Sequence, residues 1–276
     1  MRLRAGIIAG VILPATVLGY GNPAFAQPAA AWSLCSNDGI SPQQRISGCT
    51  LVIQAGTESQ SRLATAYNNR GFALLDRGDN DQALADFDAA IKLNPKEAGY
   101  FHNRANALLA KNENDRAISD FDQAIRMNPK LAQAYGSRGR AYANKRDFDR
   151  AIADLSQAIK LDPKLPRAFS NRGVVYSKKR EFTLAVADFD QAIRLDSNYT
   201  TAYIFRGIAN YNRAAYDSAI ADFDAALRLD PNAVEALYSL GMAKQRNGDS
   251  SGAANVAAAK AIQSDIAEIM VAYGIR

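Results

Sequence analysis

A chain of 276 residues with 33 basic and 28 acidic side chains carries a formal net charge of +5. The basic and acidic residues alternate along the sequence and form no basic block, which argues against a nucleic-acid-binding surface. The single histidine, His102, and the two cysteines are too few for a typical zinc site. Composition therefore predicts no nucleic-acid partner and no metal site.

Residues 1–26 have the features of a cleavable export signal. Two arginines precede an uncharged apolar run that ends in an A-x-A cleavage site at Ala24, Phe25 and Ala26. The alternative is a retained membrane anchor, which needs about 20 uninterrupted apolar residues, but Pro14 interrupts this run. We expect a periplasmic or secreted protein with no stable membrane insertion after cleavage.

The next segment, 27–63, contains both cysteines, Cys35 and Cys49. In an oxidising compartment two cysteines predict a disulfide, which for a loop of this size stabilises a fold by about 3 kcal/mol. The alternative is two buried thiols. Ser41 and Pro42 are typical of a helix start, so we expect a lone capping helix that the disulfide staples to the segment before it.

Residues 64–233 repeat with a period of 34. The stretch SDFDQAIRMNP at residue 119 has near-copies that start at 85, 153, 187 and 221. We number the units so that the proline is position 32, which gives 64–97, 98–131, 132–165, 166–199 and 200–233. Position 4 is aromatic, 8 and 20 are Gly or Ala, and 24 is Phe or Leu. This spacing predicts two amphipathic helices per unit, at about positions 1–14 and 17–30.

The turns are also predicted by the repeat. Gly78 and Asn112 stand at position 15, where a left-handed residue ends a helix. Acidic residues follow at positions 16 or 18, where they suit the positive end of the second helix. Asx-Pro pairs then stop that helix, because the residue before proline is pushed out of the α region.

The period and its residue pattern resemble the tetratricopeptide repeat. The resemblance implies an all-α fold, an α-solenoid in which helix pairs stack into a right-handed superhelix. Position 7, usually Leu in that family, is Arg here, and position 23 is Asp. We interpret the two as a structural ion-pair ladder; the alternative is an arginine ridge that grips acidic ligands. The ladder comprises Arg70, Arg104, Arg138, Arg172 and Arg206 with Asp86, Asp120, Asp154, Asp188 and Asp222.

Residues 234–276 are predicted to be a degenerate sixth repeat and a C-terminal capping helix. A sixth first helix starts at Val234, but its partner lacks the Phe and the Asp. A last helix is expected from Ser264 to Gly274, with an apolar stripe that argues against the alternative of a frayed tail.

The resemblance further implies that the first helices line a concave surface that binds a peptide or helix of a partner protein. Positions 2, 5, 9, 12 and 13 of those helices vary from unit to unit. The candidates are Asn68, Phe72, His102, Asn106, Gln133, Arg140, Asn144, Arg167, Val174, Lys178, Ile208 and Tyr211.

An enzyme is the competing class. His102 stands at an expected surface position, whereas nucleophilic catalysis needs a nucleophile beside a base, and no phosphate-binding glycine loop is present. We therefore expect no catalytic residue and no cofactor. The sequence predicts a non-enzymatic scaffold of the bacterial cell envelope that binds a protein partner. The alternatives are a self-associating structural module and a regulatory subunit of an envelope enzyme.

Overall fold

The computed structural model describes residues 28–276, so the predicted export signal lies outside the described part. The described residues form fifteen α-helices and no strand, which confirms the all-α prediction. The helices are α1 Pro28–Cys35, α2 Pro42–Ala55, α3 Gln60–Arg77, α4 Asn80–Leu93, α5 Ala98–Ala110, α6 Asn114–Met127, α7 Ala132–Asn144, α8 Phe148–Leu161, α9 Pro166–Lys178, α10 Phe182–Leu195, α11 Thr200–Asn212, α12 Tyr216–Leu229, α13 Val234–Arg246, α14 Gly252–Ile262 and α15 Ile266–Val271.

Consecutive helices pair as α3 with α4 through α13 with α14, and each pair contacts its neighbours along the chain. Successive first helices, such as α5 and α7, contact each other, whereas successive second helices in the described part do not. The stack therefore curves with its first helices on the inner side. This arrangement confirms the predicted α-solenoid and makes the first helices the lining of the groove.

The crossing of the two helices in a unit depends on a small residue at position 8, which is glycine in four units and Ala105 in the second. A Cβ atom at Gly207 would lie 2.6 Å from the ring of Phe223, and one at Gly71 would lie 2.9 Å from the ring of Phe87. Both phenylalanines are fully buried. The small residue thus lets the ring at position 24 fill the space between the helices.

In every unit the residue at position 15, between the two helices, has a left-handed backbone conformation, and not only where the sequence predicts it. Beside Gly78 and Asn112, the residues at position 15 with positive φ are Arg146 (62°), Arg180 (63°) and Ala214 (60°). The next amide closes the turn, as Asp147 N donates to Tyr142 O at 2.9 Å. This Schellman-type bond holds residues that do not favour the conformation themselves.

The N-terminal end differs from the predicted lone helix. Helix α1 packs on α2, and a Cβ at Gly48 would lie 2.5 Å from Leu34 Cβ. Cys35 and Cys49 are joined by a disulfide with Cα atoms 4.4 Å apart. The cap is therefore a helix pair rather than one helix, because the glycine lets the alanine-rich α1 approach closely.

The C-terminal end also differs in detail from the prediction. Helix α15 is shorter than residues 264–274 and has Asp265, not Ser264, as its N-cap residue. In the sixth pair, Leu240 and Val256 occupy the positions of the arginine and aspartate, and both pack in the apolar core. None of the helices in residues 28–276 combines the length and apolar character needed to cross a bilayer.

Candidate functional site

Each arginine at position 7 forms a two-pronged ion pair with the aspartate at position 23 of the same unit. Arg70 Nε lies 2.7 Å from Asp86 Oδ2, and its Nη2 lies 2.8 Å from Asp86 Oδ1. The same pairing recurs in the other four units. The five carboxylates are buried, so the pair joins the first and second helices below the surface.

The same arginine also contacts a second partner, which sequence reasoning missed. The remaining amino group, Nη1, contacts position 25 of the preceding second helix, as in Arg138 to Asp122 at 2.6 Å and Arg172 to Ser156 Oγ at 3.0 Å. The second aspartate of the recurring sequence D-F-D is the signal that would have indicated it. Because all three donor groups are engaged, the geometry favours a structural ladder over a ligand-gripping ridge.

A second ladder runs along the outer edge of the turns. The side chain at position 14 contacts position 18 of the preceding unit, as in Lys179 Nζ to Asp149 Oδ1 at 2.9 Å and Asn247 Nδ2 to Asp217 Oδ1 at 2.7 Å. The hydrogen bond to Asp149 raises the pKa of Lys179. These pairs are exposed and contribute little to stability. The acidic residues at position 18, which were predicted to interact with the positive end of the second helix, thus also contact the following unit.

The amide side chains at the N-terminal end of the groove form a continuous hydrogen-bonded row. Asn103 Nδ2 donates to Asn68 Oδ1 at 2.8 Å, and Asn103 Oδ1 lies 3.3 Å from His102 Nδ1. Asn106 Nδ2 lies 3.2 Å from His102 Nε2. Beside this row, the half-exposed ring of Phe72 lies under the guanidinium of Arg45.

The environment of His102 favours the neutral form of its imidazole. Burial lowers the pKa of His102, although the hydrogen bond with Asn103 and one with the backbone of Gln133 act in the opposite direction. The contact of Asn106 Nδ2 with His102 Nε2 fits a neutral ring whose Nε2 accepts the hydrogen bond. The side chain is therefore a hydrogen-bonding groove residue, with its ring 5.7 Å from that of Phe121.

The middle of the groove is exposed and basic. The exposed side chains here are those of Gln133, Arg140, Arg167 and Lys178, whereas Val174 is half-buried. Asn144 is turned toward the neighbouring unit, where its Nδ2 donates to an asparagine of α6 at 3.2 Å.

Arg140 and Arg167 lie close enough for their charges to interact. Partial desolvation in the groove and the charge of Arg167 lower the pKa of Arg140. Neither arginine pairs with a carboxylate of residues 28–276. The two therefore differ from the ladder arginines, whose charges are balanced within the fold.

The C-terminal end of the groove is occupied by the chain itself, which corrects the prediction that Ile208 and Tyr211 face a partner. Both side chains are buried, and they pack with Met270 and Ile275. Sequence reasoning missed this because the apolar stripe of α15 does not show which surface covers it. Among residues 28–276, no three His, Cys, Asp or Glu side chains converge to hold a metal ion.

Comparison with known proteins agrees with this architecture. A sequence model described as a tetratricopeptide repeat matches five overlapping stretches, residues 68–132, 102–166, 137–200, 170–234 and 206–268. The chain belongs to the tetratricopeptide repeat family. The matches extend through the sixth helix pair, so that pair is a tetratricopeptide repeat in which the arginine ladder has been replaced by apolar residues. No curated protein sequence matches the chain significantly.

Solved tetratricopeptide structures resemble the chain over most of their length. YrrB, described as having an unusual peptide-binding site, shares 28% sequence identity and has a TM-score of 0.53, covering 65% of this chain and 93% of that chain. Pseudomonas aeruginosa pilF shares 19% identity with a TM-score of 0.67, over 78% of this chain and 99% of that chain. PilW, described as a type IV pilus biogenesis factor, shares 18% with a TM-score of 0.67, over 73% and 93%. The last two likenesses concern the fold alone.

Proposed function

We propose that this protein is a non-enzymatic scaffold of the bacterial cell envelope that holds a segment of a partner protein against its concave face. The observation that carries the proposal is the exposed pair of Arg140 and Arg167, whose charges no carboxylate of the described chain balances. An acidic side chain of a partner would balance them through charge-assisted hydrogen bonds.

The residues around this pair suit an extended segment. Gln133 lies on the same first helix as Arg140, and Asn106 lies on the first helix of the neighbouring unit. Amide side chains such as these can both donate to and accept from a peptide backbone. Stacked first helices give such a segment a continuous inner surface. The described peptide-binding site of YrrB, which is 28% identical to this chain, supports the same class of ligand.

The envelope location is supported by the sequence and by the disulfide. Residues 1–26 have the pattern of a cleavable export signal, and the bond between Cys35 and Cys49 is of the kind that persists in oxidising compartments. We expect the protein in the periplasmic fraction with Gln27 as its N-terminal residue. A cytoplasmic fraction that retains Met1 would contradict this location.

The test of the proposed function uses site-specific photocrosslinking in the native envelope. A photoreactive residue replaces Gln133 in the groove, and a matched one replaces Gln123, which lies on the second helix α6. We expect a distinct protein adduct from position 133 and none from position 123. Equal adducts from both faces would refute binding in the groove, and an adduct with a second copy would favour the self-associating module.

The charge pair is tested in the same assay. Arg140→Ser/Arg167→Ser should reduce the adduct at position 133 at least tenfold. Arg126→Ser/Arg194→Ser is the matched control, because these exposed arginines lie on second helices and each donates hydrogen bonds to a glutamine three residues earlier. It removes the same charge and should leave the adduct unchanged.

A further inference from the structure

The segment that follows α15 turns back into the groove. Gly274 has φ of +82°, and Ile275 N donates to Met270 O at 3.2 Å, which closes the turn. Ile275 is fully buried in a cluster that contains Ile208 and Tyr238 of two successive first helices. Residues 272–276, which we call the tail segment, therefore lie on the inner surface of the last two repeats.

The contacts of the tail segment are those of a bound peptide. Asn212 Nδ2 donates to Tyr273 O at 2.9 Å. The oxygen of Arg276 accepts from Tyr211 Oη at 2.6 Å and from Arg246 Nη2 at 2.8 Å. These donors stand at positions 12 and 13 of first helices, which are positions at which the groove was predicted to meet a partner.

Side chains of the tail segment add specificity to these backbone contacts. The ring of Tyr273 lies 5.8 Å from that of Phe205, and the side chain of Ile275 fills the apolar cluster. Between them glycine is favoured, because Gly274 has φ of +82° and an added Cβ would lie 2.3 Å from Asn212 Oδ1. Hydrogen bonds from Asn212 Nδ2 to two backbone carbonyls hold that side chain in place. The surface thus selects an aromatic residue, then glycine, then an aliphatic residue.

We propose that the tail segment is a built-in ligand, and that the concave face of the last two repeats is a peptide-binding site for a partner segment with an aromatic residue, a glycine and an aliphatic residue in succession. The inference deepens the proposed function and rests on its claim that partners bind in the groove. A tethered ligand acts at an effective concentration in the millimolar range. The partner must displace the tail segment, which therefore limits access to this end of the groove.

The test uses the full chain and a labelled peptide VAYGIR, which copies residues 271–276. Gly274→Ala should release the tail segment, since it adds both the clash with Asn212 and the cost of positive φ. Gly248→Ala is the matched control, because Gly248 has φ of +83° and nothing within 4 Å of an added Cβ. We expect Gly274→Ala to bind the peptide at least tenfold more tightly than the native chain or the control, by fluorescence anisotropy.

Two further measurements keep the result decisive. The peptide VAYAIR, with alanine in place of glycine, should bind none of the three proteins. If Gly274→Ala loses helicity, Tyr273→Ser serves instead, because it removes only the half-exposed ring. In the native chain, the amide of Ile275 should exchange with solvent at least tenfold more slowly than in the peptide.

The inference is overturned if helical Gly274→Ala fails to bind VAYGIR, if the native chain binds it equally well, or if the Ile275 amide exchanges as fast as in the peptide. Each of these outcomes leaves the crosslink from Gln133 and its dependence on Arg140 untouched. Conversely, failure of that crosslink would refute the proposed partner site while peptide binding to Gly274→Ala still stood.

Discussion

Arg138 donates two parallel hydrogen bonds to Asp154, from Nε to Oδ2 and from Nη2 to Oδ1, each 2.7 Å long. The carboxylate is buried and the guanidinium side chain is 18% exposed. A third bond, to Asp122, reaches the preceding repeat. One side chain thus joins three helices, α6, α7 and α8.

The ladder predicts a strong asymmetry between single and double substitutions. Arg138→Ala leaves Asp154 buried without a cation, so the free energy of unfolding should fall by about 3 kcal/mol. Arg138→Leu/Asp154→Val reproduces the Leu240 and Val256 of the sixth pair and should change it by less than about 1 kcal/mol. Urea denaturation followed by circular dichroism measures both. Equal losses would show that the ion pair is not the source of the effect.

His102 should make stability fall on the acid side of neutrality. Burial lowers the pKa of His102 in the folded chain, so the unfolded chain binds more protons between that lowered pKa and about 6.5. The contribution of His102 is therefore complete above about pH 6.5 and is lost as pH falls through the folded pKa. Unfolding free energies from pH 7 to 5 should decline in the native chain and decline less in His102→Gln. Identical slopes would contradict the assignment.

The left-handed turn at position 15 offers a stabilising substitution. Ala214 holds φ of 60°, a conformation that disfavours residues with a Cβ atom. Ala214→Gly should raise the free energy of unfolding by about 0.5 to 1 kcal/mol. As a control, Ala257→Gly, inside helix α14, should lower it by about the same amount. The claim of strain at position 15 would fail if Ala214→Gly were also destabilising.

The disulfide should stabilise one end of the array and leave the rest unchanged. Cys35→Ala/Cys49→Ala opens the link between α1 and α2, which for a loop of this size should cost about 3 kcal/mol. Because helix pairs contact only their neighbours, amide exchange should accelerate in α1 and α2 and stay the same in α9 and α10. Uniform acceleration would indicate that the solenoid unfolds as a single unit instead.

The sequence by itself determined the helix pairs and their ion pairing. Within each unit, two helices can pack closely in only one way, with the ring at position 24 against the small residue at position 8. The bounds of the second helix, positions 17–30, could therefore be predicted directly from the 34-residue period. Arg138 and Asp154 were paired correctly for the same reason: both lie at fixed places in a local hairpin whose geometry the repeat prescribes.

Only the tertiary structure decided how neighbouring units contact each other and where residues 272–276 dock. The contact of Arg138 with Asp122 depends on the offset between two repeats, which no pattern inside one repeat encodes. The docking of Ile275 between Ile208 and Tyr238 depends on the path of the chain after α15. An apolar stripe indicates that a face must be covered, because removing apolar surface from water is favourable. The hydrophobic effect is non-directional, however, so the stripe does not specify which surface covers it.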